Sequence, residues 1–272
     1  MTGGTAPATP IFVTGYPEGS APIARRSTLY HVIIRELFAR ARQSDEFEYA
    51  CALLNFDGMK DAGWSPEVES AVLVSELKRF VQLPMAGHTQ VRLLLLAYSH
   101  IAEMDITYQL VMNMLRVVVG DRYSMLPFVD KRGERIDKPS DKVAQIAALA
   151  AKVGLTDVPA LFDWYEPRLR NSFAHSNYHL HEGRYNIVRG KGIVAEGLLE
   201  SSLSIERELV PRFNGALRFF DELYAARNAT RLAYRENVVV RGRLQSDDYL
   251  IEIELLADPD HGLTGFRGPP QS

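Results

Sequence analysis

One short stretch brings together residue types that can do chemistry. Leu169-Arg170-Asn171-Ser172-Phe173-Ala174-His175 places a guanidinium, a carboxamide and an imidazole within six residues. An imidazole titrates near pH ~6.5 and so gives and takes protons near neutrality. A guanidinium is a permanent cation whose fork of N–H groups fits two oxygens of a phosphate. Together they suit proton transfer coupled to stabilisation of negative charge. The bare spacing says little. With 24 arginines among the 31 basic residues and 7 histidines in 272 positions, Arg-x4-His is expected by chance roughly 0.6 times. A second match does occur, from Arg26 to His31. Requiring Asn after Arg lowers the chance expectation to about 0.02, and only Arg170 meets it.

The elements that must position these groups are mostly helical. Proline cannot sit inside an undisturbed helix, so Pro167 marks a start, and Pro167 to His175 is predicted helical. On that helix Asn171 and His175 share a face at i, i+4. Arg170 lies roughly 140° around from His175 and reaches the same site only by its length. Upstream, His88 to Val119 is predicted as one continuous helix of roughly 45 Å. Its stripe runs through Leu93, Leu96, His100, Glu103, Ile106, Leu110, Met114 and Val117, and Gly120-Asp121 stops it. Further helices are expected from Ser27-Thr28 to Ala41, Asp45 to Leu54, Pro66 to Leu83 with Ser65 as N-cap, and Ile205 to Ala226. Asp57-Gly58 breaks the second of these. Residues Lys131 to Asp141 read as a loop. Ser140 or Asp141 then caps a helix to Lys152, with Gly154 at C′. Pro159 to Tyr165 reads as a helical turn or two. Alternation predicts a hairpin from Tyr178 to Val188 about Gly183. A second hairpin joins Asn237–Leu244 to Asp248–Leu256 through Gln245-Ser246-Asp247. The expected fold class is mainly α, a helical bundle with small β-hairpins after the motif helix and near the C-terminus.

The motif in this setting resembles the HEPN superfamily, the higher eukaryotes and prokaryotes nucleotide-binding domains. Residues 169–175 look like that family's Arg-polar-x3-His signature, on a helix that follows a long amphipathic one. The resemblance implies a helical domain over 23–228 with its motif core at 88–228. A flexible segment 1–22, a C-terminal hairpin 229–257 and a flexible tail 258–272 complete the expected organisation. It also implies metal-independent RNA cleavage in a homodimer whose two motifs face each other across a cleft, in a toxin–antitoxin or anti-phage defence system. RNA and an antitoxin or regulatory protein are the implied partners. Carried over, His175 is the general acid/base, Arg170 holds the scissile phosphate and Asn171 orients them. RNA supplies its own 2′-hydroxyl nucleophile, so proton transfer and charge stabilisation suffice. The alternative from the same resemblance is a non-catalytic dimerisation module that binds a nucleotide or a partner. Arg168, Arg184, Arg189 and Lys191 lie near the motif, offset by Asp163, Glu166 and Glu182. A full RNA groove must add Arg207, Arg212 and Arg218, or a second subunit.

Other residues invite weighing. His100 and Glu103, at i, i+3, read as a buried polar pair on an apolar face; the alternative is support for the motif helix. Some family toxins carry a tyrosine two residues after the histidine, whereas Tyr178 stands three after, which suits packing or stacking. His175, His179 and His181 fall within seven residues, yet surface or packing roles are expected and no metal or other cofactor. Met112 and Met114 suit the core. Arg241 and Arg243 share a solvated strand face, and Cys51 between alanines reads as a buried thiol.

Composition bounds the rest. Apolar residues are 46% and charged residues 24% of the chain, as in ordinary globular proteins. A single cysteine excludes an internal disulfide and a cysteine-rich zinc module, and a reducing cytoplasmic setting is expected. The formal charge of −3 provides no global basic field for nucleic acid. No apolar run approaches the ~20 residues of a membrane span, and no signal peptide is evident.

Overall fold

The computed structural model describes residues 21–55, 66–188, 199–243 and 249–268. The expected turns at Asp57-Gly58 and Gln245-Ser246-Asp247, the Ser65 cap, the basic pair Arg189 and Lys191, and nearly all of the 1–22 lead-in lie outside these residues. The described residues are mainly α-helical with two three-stranded antiparallel sheets. They divide into two units that do not follow a linear split of the chain. The first combines Met1–Arg26, Pro66–Met104 and Asp163–Arg218; the second combines Ser27–Ser65, Asp105–Phe162 and Phe219–Ser272. Helix α1 (Ala21–Ser44) begins in the first and runs on in the second, and α8 (Val210–Leu232) contributes to both.

In the second unit, α1 buries Tyr30, Ile34, Leu37 and Ala41 at helical spacing. It hands over to α2 (Glu46–Leu54) through Asp45, whose carboxylate accepts from Glu48 N at 3.0 Å as an N-cap. Helix α5 (Asp105–Val118) ends at Gly120, φ +88°, where Asp121 N reaches back to Arg116 O. Helix α6 (Pro139–Lys152) ends the same way at Gly154, φ +73°, with Leu155 N on Ala150 O. The start of α6 differs from expectation. Pro139 takes N1 after Lys138, neither Ser140 nor Asp141 caps it, and the fixed proline φ sets the start instead. A 3₁₀ turn at Val158–Phe162 brings Phe162 face to face with Tyr108, 5.3 Å and 10°. Strands β4 (Val238–Gly242), β5 (Ile251–Asp258) and β6 (Gly262–Arg267) form one sheet in that order. The expected hairpin is therefore present as β4–β5, but residues 262–267, expected as a loose tail, form a third strand paired to β5.

In the first unit, α3 (Pro66–Val81) packs on α4 (Gly87–Glu103), and α4 packs on α7 (Pro167–Ala174). The long helix expected from His88 to Val119 is interrupted. Met104 takes an extended conformation, φ −69° and ψ 101°, and α5 starts afresh at Asp105. The break also separates the two units. The expected stripe is out of phase on α4: Leu96 and Glu103 are exposed, while Val91, Leu94, Leu95, Tyr98 and Ile101 are buried. Tyr98 is the hub of this core. Trp164 meets its ring edge-on at 5.6 Å, and Phe213 of α8 lies 5.7 Å away. The hairpin β1 (Tyr178–His181) and β2 (Arg184–Val188) turns on Glu182-Gly183, both with positive φ, as a two-residue hairpin loop requires. A strand not anticipated, β3 (Leu199–Ser204), pairs with β2. Ser204 then caps a π turn, Ile205–Leu209, that leads into α8.

Candidate functional site

Helix α7 is the predicted motif helix, and its two faces have separate tasks. Leu169 and Ser172 are buried. Ser172 Oγ donates to Leu169 O at 3.0 Å and shares a hydrogen bond of 2.8 Å with the Tyr185 hydroxyl. Burial pushes the Tyr185 phenol above its ordinary range. Glu166 is the N-cap, accepting from Arg168 N at 3.3 Å, and Pro167 stands at N1. The Tyr98 hydroxyl accepts from Glu166 N at 2.7 Å, so α4 fixes where α7 begins. Burial alone would raise the Glu166 carboxyl. The hydrogen bonds from Arg168 and the charges of Arg168 and Arg212 outweigh it and hold the group below the ordinary carboxylate range.

The C-terminus of α7 sets the approach to β1. Asn177 N bonds Ser172 O at 2.8 Å and Ser176 N bonds Phe173 O at 3.1 Å. This is the paired closure usually completed by glycine, yet Ser176 occupies the left-handed position at φ 56°. Ser176→Gly should therefore raise stability by about 0.5–1 kcal/mol, the left-handed strain less the added freedom of the unfolded chain. Urea denaturation would show a higher midpoint at unchanged slope.

On the outer face, Arg168, Asn171 and His175 line one side of a cavity of about 180 Å³, together with Ser172. Asn177, Ile187 and Val188 also line it. The volume far exceeds the ~10–15 Å³ that one water needs. His175 and Asn171 are exposed to solvent. Thus Asn171 and His175 come together as the helical spacing predicts. Arg170 does not line the cavity. Its Nε donates to a carboxylate oxygen of Glu103 on α4, and its Nη1 donates to Asn171 Oδ1 at 2.8 Å. It reaches the site through Asn171.

The supporting residues fall out differently. Glu103 is exposed and paired to the motif arginine, which overturns the buried-pair reading and places it against α7. His100 is half-buried beside α3; burial lowers its pKa, partly offset by a hydrogen bond to the Ser70 backbone. Among the described residues its Nε2 is buried without a partner. Tyr178 stacks on Tyr185 at 5.0 Å and 9° and leans on Phe173 at 5.7 Å, so its ring packs and does not line the cavity. His179 and His181 sit on one strand face with rings 5.9 Å apart. Among the described residues no group of three His, Cys, Asp or Glu is placed to hold a metal ion. Cys51 is buried, as expected, and burial raises its thiol well above the ordinary value. No helix among the described residues is long and apolar enough to cross a membrane.

Sequence alone marks Arg168 only as a nearby basic residue. Its spacing to Asn171 and His175, i, i+3 and i+7, is a same-face pattern and carries the signal that it shares their site. Searches against protein-family models, curated proteins and solved structures find no match to this chain.

Proposed function

We propose that this chain is a metal-independent RNA endonuclease of HEPN type, acting as a homodimer. The observation that carries the reading is the pairing of Asn171 and His175 on one solvent-open cavity with Arg170 bonded to Asn171. In the proposed reaction His175 takes the proton of the ribose 2′-hydroxyl. The 2′-oxygen attacks phosphorus, and the 5′-oxygen leaves with a proton, yielding a 2′,3′-cyclic phosphate. A second His175 from the facing protomer serves as the acid. Arginine and the Asn171 carboxamide stabilise the added negative charge. The setting we propose, a cytoplasmic toxin–antitoxin or anti-phage system with an antitoxin or regulatory partner, rests on the motif resemblance.

The test is labelled RNA incubated in chelator with the wild type and with His175→Ala. The wild type should cut and the variant should fall to background. Equal cleavage by both, or none by the wild type across varied RNAs, overturns the reading. One observation favours the alternative of a non-catalytic binding module: the Glu103 carboxylate already engages the motif arginine. That reading expects no cleavage, with dimerisation or ligand binding lost in Arg170→Ala.

A further inference from the structure

The hydrogen bonds around Arg170 fix more than the arginine itself. A guanidinium can only donate, so the Asn171 side chain must turn its oxygen toward Arg170 Nη1. Its amide NH2 then points the other way, on a residue that lines the cavity. Among the described residues no protein acceptor meets that NH2. Glu103 clamps Arg170 from α4, 67 residues away in sequence, so the amide orientation is set by a contact between two helices. The cation that lines the cavity among the described residues is Arg168, whose Nε is tethered to Glu166 Oε1 at 3.1 Å. Among the described residues no carboxylate lines the cavity. Among the described lining residues, the Arg168 guanidinium, the fixed Asn171 amide and the His175 imidazole, beside the Asn177 carboxamide and the Ser172 hydroxyl, make a donor set suited to an anionic phosphodiester.

We infer that Arg168 and the Asn171 NH2 hold the RNA phosphodiester, and that Arg170 with Glu103 is a positioning pair that acts through Asn171. The assignment of this anion as the scissile phosphate rests on the ribonuclease reading above. It departs from the role that the motif resemblance gives to Arg170.

Two readouts separate the ideas. Binding is followed by fluorescence anisotropy with a 2′-O-methyl RNA oligonucleotide, which lacks the nucleophile. Cleavage is followed with the unmodified RNA. Circular dichroism checks that each variant is folded. Arg168→Ala should weaken probe binding about ten-fold, the scale of one charge-assisted phosphate contact, and reduce the salt dependence by roughly one phosphate contact. Arg168→Lys should recover part of the affinity. Arg170→Ala and Asn171→Ala should each weaken binding, yet the double variant should be no worse than Asn171→Ala alone. Glu103→Gln, which still offers an oxygen to Arg170 Nε, should stay close to wild type, while Glu103→Ala should match Arg170→Ala. Probe binding by Arg168→Ala within two-fold of wild type, additive losses for Arg170→Ala and Asn171→Ala, or no probe binding by the wild type would each overturn the inference. His175-dependent cleavage with a neutral Arg168→Ala would leave the ribonuclease reading standing without this site. Arg168-dependent binding without cleavage would leave the site standing without the ribonuclease.

Discussion

Trp164→Ala should destabilise the protein by about 3–5 kcal/mol, the usual cost of removing a fully buried tryptophan. Trp164 has no accessible surface. Its ring is held edge-on by Tyr98 at 5.6 Å and by Tyr165 at 6.0 Å, so the loss includes aromatic geometry as well as buried area. Its position makes the loss more than local. Two residues on, Glu166 donates its N–H to the same Tyr98 hydroxyl and caps α7. The void would free the Tyr98 ring, and the start of the motif helix with it. Any activity that depends on Asn171 and His175 should therefore fall along with stability. Trp164→Phe, which keeps an aromatic edge contact in a smaller ring, should lose clearly less. Thermal and urea unfolding followed by far-UV circular dichroism would measure both, since removing the indole compromises a fluorescence signal. A loss under 1 kcal/mol for Trp164→Ala would mean that the Tyr98–Trp164 contact does not anchor the helix.

The same helix shows what can be read from sequence. Pro167 as a start, the i, i+4 pair Asn171 and His175, and glycines at positive φ at Gly120, Gly154 and Gly183 are all local signals. Each is decided by steric rules that act within a few residues. The misreadings share a different cause. The α4–α5 break at Met104 carries no proline or glycine, so nothing local announces it. The stripe of leucines and isoleucines continues across it, and on α4 the buried face is the Tyr98 face instead. The partner of Arg170 is hidden for the same reason. Extrapolating the stripe points Glu103 inward, whereas the real phase turns it outward to α7. The far wall of the cavity, Ile187 and Val188, consists of ordinary strand residues whose role depends on the hairpin folding beside α7. The third strand β6 lies in a segment with glycines and a proline beside it, which composition alone reads as loose.

That third strand yields a second large effect. Gly262→Ala should cost about 2–5 kcal/mol, from two separable sources. Gly262 has φ +70°, and an L-residue there costs roughly 1–2 kcal/mol. A Cβ at this position would lie 2.2 Å from Arg231 O, 2.5 Å from Arg231 C and 2.7 Å from Leu232 Cα. These are backbone atoms near the end of α8, so no rotamer change relieves the clash, and overpacking adds ~1–3 kcal/mol. The neighbouring geometry resists a shift. Asp258 Oδ1 accepts from Asp260 N at 2.9 Å and His261 N at 2.8 Å, which fixes the turn before Gly262. Arg231 Nη2 donates to Leu263 O at 3.1 Å, which fixes the strand after it. Gly154 provides the control. It has φ +73°, and among the described residues a Cβ added there would meet nothing within 4 Å, so Gly154→Ala should show the conformational cost alone. The difference between the two variants in urea midpoint, at equal slope, measures the close approach of β6 to α8. If Gly262→Ala lost no more than Gly154→Ala, the strand would not be seated against the helix, and residues 262–267 would be the loose tail that composition suggests.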